Sequence, residues 1–352
     1  MLPPPALRLA VDARVIAEDT RGIGRYARAV LRRLVLRDDV ALTLLADGFF
    51  PQRRREAYAR ALGSGNFAVR SRVPRGAEVL WHPANGTFFS SPVPSVATIH
   101  DAVPFRYPDR DPKRREHAQR PFLRSAAARR VIAVSEFGRG ELHAMLELSL
   151  ERIEVILHGV EPTFSPGPAE PLPLSLRDRR FLLFVGDPIG EPRKNFDLLY
   201  RAYRQAWPAL DGPLLAIAGP RAPELPGVVH VGNLGDDLTA GGNDTLRACY
   251  RGAIALTLAS YHETFGMPML EAMACGTPVV ASRASSLPEI GGEAALYTPA
   301  DDAREWAASL RRIVDDEELA QRLRAAGPER AKLFSWDRSA DQHVALFASV
   351  AR

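Results

Sequence analysis

Residues 253–282 read AIALTLASYHETFGMPMLEAMACGTPVVAS, and this stretch decides the fold predicted for the chain. Its apolar run at 253–259 predicts a buried strand, and the run at 278–281 predicts a second one. Pro268 suits the first turn of a helix and Gly276 suits the position just past its end, so about two turns of helix connect the strands. Two buried strands joined by a helix are typical of a parallel sheet, which binds ligands at the loop entering the helix.

The predicted helix starts without a side-chain cap, because no Ser, Thr, Asp or Asn directly precedes Pro268. Its first backbone N–H groups therefore stay available to a ligand. Together with the positive end of the helix dipole, they favour a phosphate. Phe265, Gly266 and Met267 form the entrance to this predicted anion site.

Glu263 and Glu271 flank the anion site. Two glutamates eight positions apart are, taken alone, most often solvated surface. Within HETFGMPMLEAMACGTPVVAS, however, they resemble the E-x7-E signature of the retaining GT-B glycosyltransferases, known as group 1 or family 4. The resemblance implies that Glu263 holds hydroxyls of the transferred sugar. Glu271 is suited to the donor ribose, because a carboxylate accepts hydrogen bonds from two vicinal hydroxyls.

The resemblance spans most of residues 8–345 and implies an α/β chain with the GT-B fold. In that fold two Rossmann-like, doubly wound parallel-sheet domains face each other across a cleft, and a C-terminal helix crosses back to the first domain. Five prolines within residues 162–173, without an apolar period, predict the linker. The predicted domains are 1–165 for the acceptor and 174–338 for the sugar nucleotide, followed by the helix at 339–352.

The segment TRGIGRYA, at 20–27, lies between a strand that ends at Asp12 and a helix predicted over 26–36. It fits the dinucleotide-binding pattern G-x-G-x-x-A. That fingerprint needs its first glycine directly after the strand, whereas nine residues separate Asp12 from Gly22, so we reject a Rossmann oxidoreductase. A long loop carrying Gly22 and Gly24 instead lets the backbone approach a ligand, as the resemblance to the family's GIGRY segment implies.

Further strands are predicted at 78–81, 95–99 and 131–134, an alternation typical of a doubly wound sheet. The strand at 95–99 delivers His100 at its carboxyl end, where open α/β sheets place ligand contacts. The segments TIHDAVPFRYP, VIAVSEFGRGEL and RIEVILHGVEPTF resemble those of the same family. The resemblance implies that His100 contacts the transferred sugar.

The strand predicted at 181–185 ends at Gly186, and the loop after it continues to Arg193 and Lys194. Two cations before a helix complement an anion, because Arg offers a two-pronged grip and Lys a point charge. The surrounding FVGDPIGEPRKNFDLLYRAY resembles the family's G-x-x-x-x-x-KN segment. The resemblance implies that these residues hold the donor diphosphate.

Asn233 and Leu234, within GNLG, resemble the loop that meets the nucleobase. The stretch TAGGND at 239–244 departs from the family pattern as a flexible insertion, so recognition of the base stays open. The segments TRGIGRYAR and HDAVPFRYP look most like mannosyltransferases of polysaccharide assembly. They favour GDP-mannose as the donor.

Composition bounds the other classes of protein. The 352 residues are 46% hydrophobic and 25% charged, as in a globular chain with room for two domains. No run approaches the ~18 apolar residues of a membrane span, and the N-terminus lacks the order of a signal peptide, which predicts a cytoplasmic location. Cys249 and Cys275 are predicted to be small buried thiols. Asp109 and Asp111 mimic a metal-binding D-x-D, but they lie in a Pro-flanked basic loop and the family does not depend on that motif.

Residues 1–168 carry 26 Lys and Arg against 18 Asp and Glu, a net charge of +8, whereas the rest carries −4. Many of the cations lie between Arg106 and Arg130, in a predicted helix. A solvated helix face is the default interpretation. The functional alternative is contact with an anionic acceptor or with anionic lipid at the inner face of a membrane. Nucleic acid is disfavoured, because no aromatic residues alternate with the basic ones.

The predicted function is transfer of a hexose, with retention, from a nucleotide-diphosphate sugar to a glycan, lipid-linked or small-molecule acceptor. Arg193, Lys194 and the helix start at Gly266 and Met267 would stabilise the departing diphosphate without metal or cofactor. Retention rests on the resemblance alone, since no residue is an evident covalent nucleophile. A GT-B-fold epimerase or a non-catalytic sugar-nucleotide-binding subunit stays open, although such epimerases lack the EAMACGTPVVAS helix.

Overall fold

The computed structural model divides the chain into two compact units. Unit 1 comprises Met1–Gly159 and Ser335–Arg352, and unit 2 comprises Val160–Phe334. The described residues are 7–20, 22–47, 51–63, 65–86, 89, 93–235 and 243–351. Residues 239–242 of the predicted insertion lie outside them. Within the described ranges, no helix combines the length and the apolar character needed to span a bilayer.

Each unit is built around one parallel sheet. The strands found in the described residues are β1 (Leu7–Asp12), β2 (Val40–Leu45), β3 (Phe67–Arg70), β4 (Val79–His82), β5 (Ser95–Thr98), β6 (Arg130–Ala133), β7 (Ile153–Val155), β8 (Phe181–Val185), β9 (Leu214–Ala218), β10 (Val228–Gly232), β11 (Leu256–Leu258), β12 (Val279–Ser282) and β13 (Leu296–Thr298). Their order is β3-β2-β1-β4-β5-β6-β7 in unit 1 and β10-β9-β8-β11-β12-β13 in unit 2. These sheets confirm the predicted α/β class with two Rossmann-like domains.

Helices connect most of the successive strands, as is typical of doubly wound sheets. The helices of the described ranges are α1 (Gly22–Leu34), α2 (Arg55–Leu62), α3 (Val103–Arg106), α4 (Pro112–Ala126), α5 (Glu136–Leu146), α6 (Phe196–Ala206), α7 (Asp244–Gly252), α8 (Met267–Ala274), α9 (Leu287–Gly291), α10 (Ala303–Asp315), α11 (Glu317–Ala331) and α12 (Trp336–Ala351). The last helix, α12, belongs to unit 1 and packs against α1. It buries Trp336, His343, Phe347 and Val350, which share one helix face.

The stretch around α8 folds as predicted in outline. Strands β11 and β12 pair in parallel with α8 between them, Pro268 lies in the first turn, and Gly276 follows the end with φ of 76°. The strand predicted over 253–259 is shorter, because Ala253 still serves the preceding helix. Its backbone N–H donates to the carbonyls of Cys249 and Tyr250 at the end of α7.

Helix α1 begins earlier than the predicted 26–36, so Gly22 and Gly24 lie in its first turn rather than in a loop. A Cβ on Gly24 would lie 1.8 Å from the carbonyl oxygen of Asp19. The loop after β1 therefore packs directly on the helix, and only glycine fits. Buried Arg28 holds the same loop by donating to the Asp19 carbonyl at 2.7 Å. At Gly24, the close backbone approach predicted for a ligand is made by the chain's own loop.

Candidate active site

In unit 2 the loop after β8 is tied to the loops after β11 and β13. The backbone N–H of Tyr261 donates to the carbonyl of Arg193 at 3.1 Å. Asn195, at the start of α6, has φ of 57° and donates from Nδ2 to the carbonyls of Ala259 at 3.1 Å and Ala300 at 2.7 Å. Asparagine is one of the few residues that adopt this left-handed conformation readily. Asn195 thus fixes the position of its two cationic neighbours, a role that the sequence analysis missed.

Both predicted cations contact the first predicted glutamate. Lys194 Nζ donates to Glu263 Oε1 at 2.6 Å, and Arg193 Nη1 lies 3.4 Å from Glu263 Oε2. Ser260 Oγ adds a third hydrogen bond to Oε1 at 3.0 Å. The sequence analysis expected one group on the diphosphate and the other on the sugar, but it did not predict that they touch each other.

The charge state of Glu263 follows from these neighbours. Burial raises the pKa of the carboxyl, but Lys194 and Arg193 more than compensate and lower it to about 2. Glu263 is therefore a carboxylate at neutral pH. Arg193 also pairs with Glu191 at 2.8 Å and keeps 28% of its side chain exposed, whereas the Lys194 side chain is only 8% exposed. Arg193 is thus the more exposed of the two cations, and its exposed part is paired with Glu191.

Gly186 follows β8 and lies under the lysine. Its φ is 141°, a conformation that side chains rarely adopt, and a Cβ there would come within 3.1 Å of Lys194 Cε. A side chain at this position would be strained by the backbone conformation and would crowd the lysine. Gly186 belongs to the cluster as a spacer.

The loop with Glu263 continues into α8. Gly266 precedes the helix with φ of 88° and supplies no side-chain cap, and Pro268 carries no N–H. Phe265 is buried at the entrance and packs edge to face on Phe334. The uncapped start of α8, with Met267 as its first residue, offers a partial positive charge four positions after Glu263.

Glu271 lies on α8 and is 3% exposed. Tyr250 on α7 donates its hydroxyl to Glu271 Oε2 at 3.0 Å. Sequence reasoning missed this tyrosine, since nothing in the sequence pairs positions 21 apart. Asn233 and Leu234 directly follow β10, which is an edge strand of the unit 2 sheet.

His100 lies in unit 1, directly beyond β5. Its Nε2 is 2.8 Å from the carbonyl of Pro83, and its backbone N–H donates to Asn85 Oδ1 at 2.8 Å. A carbonyl only accepts, so Nε2 carries the proton. Burial lowers the pKa of His100, which keeps the imidazole neutral with Nδ1 as the acceptor. The backbone anchor Asn85 was not predicted.

The remaining candidates have structural partners. Asp111 caps α4 by accepting from the backbone N–H groups of Lys113 and Arg114, and Asp109 accepts from the N–H of Asp111 at 2.9 Å. Across the described part of the chain, no three His, Cys, Asp or Glu side chains are grouped to hold a metal.

Cys249 and Cys275 are buried, and burial raises the pKa of each thiol to about 12. The α4 cations are exposed, namely Lys113, Arg114, Arg115, Arg120 and Arg124.

Known proteins resemble this chain along most of its length. The family described as Glycosyltransferase Family 4 matches residues 20–164, and the one described as Glycosyl transferases group 1 matches residues 174–330. The O-antigen chain mannosyltransferase B of Escherichia coli is 29% identical, over 92% of this chain and 94% of that protein. The D-inositol 3-phosphate glycosyltransferase of a Nocardioides species is 30% identical, over 63% of this chain and 54% of that protein.

Solved structures share the fold. Sucrose-phosphate synthase from Thermosynechococcus elongatus has a TM-score of 0.68 at 19% identity, covering 98% of this chain and 99% of that one. Anabaena HepE in complex with UDP and glucose has a TM-score of 0.66 at 16% identity, covering 98% and 100%. With a family match in each unit and the E-x7-E segment at the start of α8, the chain belongs to the group 1, or family 4, glycosyltransferases.

Proposed function

We propose that the chain transfers a hexose from a nucleoside-diphosphate sugar to an acceptor hydroxyl, with the diphosphate bound in unit 2. The cluster of Arg193, Lys194 and Glu263 before the uncapped start of α8 carries this proposal. Negative charge grows on the diphosphate as the anomeric bond breaks, and fixed cations and N–H groups stabilise it. An ammonium has three donors, so Lys194 retains donors for a phosphate oxygen beyond its bond to Glu263.

The two glutamates bind different parts of the donor. A carboxylate has about four lone-pair sites, so Glu263 can accept from sugar hydroxyls in addition to its three protein partners. Glu271 binds the ribose hydroxyls, and the hydrogen bond from the Tyr250 hydroxyl to Oε2 orients its carboxylate. His100 contacts the transferred sugar as a neutral imidazole. Gly22, Gly186, Asn233, Leu234 and Phe265 complete the binding set.

The finer assignment is a mannosyltransferase that uses GDP-mannose, retains the anomeric configuration and acts on a glycan or lipid-linked acceptor. The O-antigen mannosyltransferase relative supports mannose as the sugar. The exposed cations of α4 support an anionic acceptor or lipid headgroup. In this mechanism the side chains and the helix end supply the positive charge that a metal supplies elsewhere.

Incubation of the protein with GDP-mannose, UDP-glucose, ADP-glucose and TDP-glucose tests the activity. A transferase releases nucleoside diphosphate and free sugar slowly from its own donor, because water replaces the acceptor. A thermal-shift series with GDP, UDP, ADP and TDP identifies the base independently. Interconversion of sugar nucleotides would indicate an epimerase, and binding without release would indicate a non-catalytic subunit.

A further inference from the structure

The ring of Tyr26 lies at the centre of a cluster of aromatic side chains in unit 1. Tyr26 is fully buried on α1. The centroid distances from its ring are 4.7 Å to His100, 4.9 Å to His158, 5.7 Å to His343, and 6.1 Å to both Trp81 and Trp336. The imidazole of His100 meets it edge to face, with 82° between the planes. Packing from so many sides confines the ring, and the hydrogen bonds of its hydroxyl set its final position.

The two ring nitrogens of His343 have fixed roles, one as a hydrogen-bond donor and the other as an acceptor. His343 Nδ1 lies 2.7 Å from the backbone carbonyl of Ser339, one turn earlier on α12. A carbonyl only accepts, so Nδ1 carries the proton and Nε2 carries the lone pair. Tyr26 Oη lies 2.6 Å from Nε2 and therefore donates its proton to His343. Burial lowers the pKa of His343 to about 4, which keeps that lone pair available.

The same donor-to-acceptor order continues through side chains on two neighbouring strands, Thr98 on β5 and Trp81 on β4. Tyr26 Oη lies 3.0 Å from Thr98 Oγ1, and since the tyrosine proton points to His343, Thr98 is the donor. Trp81 donates from Nε1 to Thr98 Oγ1 at 3.1 Å. A chain of four side chains thus runs from Trp81 on β4 to His343 on α12, with each donor matched to one acceptor. All four are fully buried.

Tyr26, the third member of this hydrogen-bonded series, packs against His100. Thr98 precedes His100 by two positions, and the Tyr26 ring that the chain fixes packs on the His100 imidazole. The opposite restraint on the imidazole is its Nε2 bond to the Pro83 carbonyl. Together the ring contact and the hydrogen bond fix both the position and the tautomer of His100, leaving Nδ1 as its acceptor.

We propose that Tyr26 and His343 are positioning residues for His100. The C-terminal helix, through His343, orients the Tyr26 hydroxyl and ring, and that ring holds the His100 imidazole where it meets the transferred sugar. The inference rests on the proposed function, in which His100 contacts that sugar. Tyr26 and His343 act only through His100 and touch no substrate.

Tyr26→Phe tests the role in catalysis, because it removes the hydroxyl and keeps the ring. In the folded variant we expect kcat to fall roughly 10-fold, on the scale of a general positioning effect. Affinity for the nucleoside diphosphate, bound in unit 2, stays within about twofold. His343→Leu gives the same loss without adding to that of Tyr26→Phe, whereas His343→Gln, which keeps an acceptor oxygen, restores most of kcat. Val350→Ala, on the same buried face of α12, is the control that lowers stability and leaves kcat unchanged.

Long-range ¹H–¹⁵N correlation spectra test the geometry without activity. We expect the Nδ1–H tautomer for His343, the Nε2–H tautomer for His100, and changed His100 signals in Tyr26→Phe. A folded Tyr26→Phe protein with wild-type kcat, or the opposite tautomer at His343, would overturn the proposal. If His100→Asn also keeps full turnover while the tautomers are as expected, the sugar contact assigned to His100 is wrong, and with it the proposed catalytic role of Tyr26.

Discussion

The Glu263 carboxylate forms ion pairs with Arg193 and Lys194, the two cations expected to hold the diphosphate. Its carboxylate lies 2.6 Å from Lys194 Nζ and 3.4 Å from Arg193 Nη1, so the group proposed to bind the sugar also fixes both cations. Breaking a buried pair by removing one partner leaves an uncompensated charge, which costs on the order of 3–5 kcal/mol. A conservative change at Glu263 is therefore more informative than truncation.

Conversion of Arg193 and Lys194 together to Ala should weaken nucleoside-diphosphate binding by on the order of 2–5 kcal/mol, since a hydrogen bond to a charged group contributes ~1.5–3 kcal/mol. Binding of the bare nucleoside should hardly change. Calorimetry with both ligands measures the difference. Equal losses for nucleoside and diphosphate would contradict the assigned grip.

The two glutamates should separate in binding experiments. Glu271→Gln should weaken the nucleoside diphosphate and the sugar nucleotide alike, because its ribose is common to both. Glu263→Gln keeps an oxygen for Lys194, so nucleoside-diphosphate affinity should stay within ~0.5 kcal/mol while kcat/KM falls roughly 10²-fold or more. Circular dichroism confirms folding first. A similar loss of nucleoside diphosphate in both variants would mean that the sugar does not lie beside Glu263.

The buried imidazole of His343 should make unit 1 sensitive to acid. Burial holds its pKa at about 4, and neutral His100 and Tyr26 face it. As pH falls below about 6.5 the unfolded chain gains a proton that the folded chain refuses, so stability is lost down to about pH 4, by about 3 kcal/mol. Urea titrations at several pH values should show a larger loss in the wild type than in His343→Leu, because buried His100 and His158, whose pKa burial also lowers, destabilise both proteins in acid. Parallel pH profiles would contradict it.

At the scale of elements, the sequence predicted the bounds correctly where a single local pattern determines them. Strand β8 has the predicted bounds, because it is an apolar run with clear ends. The prediction of element bounds failed at residues where two neighbouring elements meet. Ala253 closes α7 instead of opening β11, and the glycines before Tyr26 start α1 because the loop at Asp19 packs on them. Strands β3 and β7 and helix α2 were not predicted at all.

The same limit applies to the site. Sequence motifs indicated Arg193, Lys194 and Glu263 separately, but the lysine and the glutamate that it contacts lie 69 positions apart. A contact of that separation has no periodic signature. Partners without a motif, such as Ser260 and Tyr250, emerge only when the loops are brought together in the fold.

The start of α8 should replace a metal ion in charge stabilisation. Because the helix end and two side chains carry the positive charge, excess EDTA should leave turnover within about twofold, whereas a Mg²⁺-dependent site would lose nearly all activity. Initial rates before and after dialysis against EDTA provide the measurement. Restoration of a lost activity by Mg²⁺ or Mn²⁺ would revive Asp109 and Asp111 as ligands.

At the scale of the whole molecule, the two units differ in how the chain builds them. Unit 2 is one continuous segment, Val160–Phe334, whereas unit 1 needs both Met1–Gly159 and Ser335–Arg352. The second segment is not an appendage. It contributes the buried side chains of Trp336 and Phe347, and substitution of such aromatic residues by Ala typically costs about 3–5 kcal/mol each.

Deletion of residues 335–352 should therefore destabilise unit 1 and spare unit 2. We expect the truncated protein to keep a cooperative thermal transition and nucleoside-diphosphate binding, both from unit 2, and to lose the second transition and turnover. Scanning calorimetry with and without the nucleotide distinguishes the transitions. Survival of both transitions would show that α12 is dispensable to unit 1.

The placement of α12 reverses the usual order of folding on the ribosome. Domains generally fold from the N-terminus as they emerge, at about 5–20 residues per second of synthesis. Here the first-made unit waits for a helix that follows the whole of Val160–Phe334, a delay of roughly 10 to 35 s at that rate. During that time the β4 and β5 surface beneath α12 is uncovered while unit 2 completes itself. The N-terminal part of the nascent chain therefore exposes a surface that chaperones can bind.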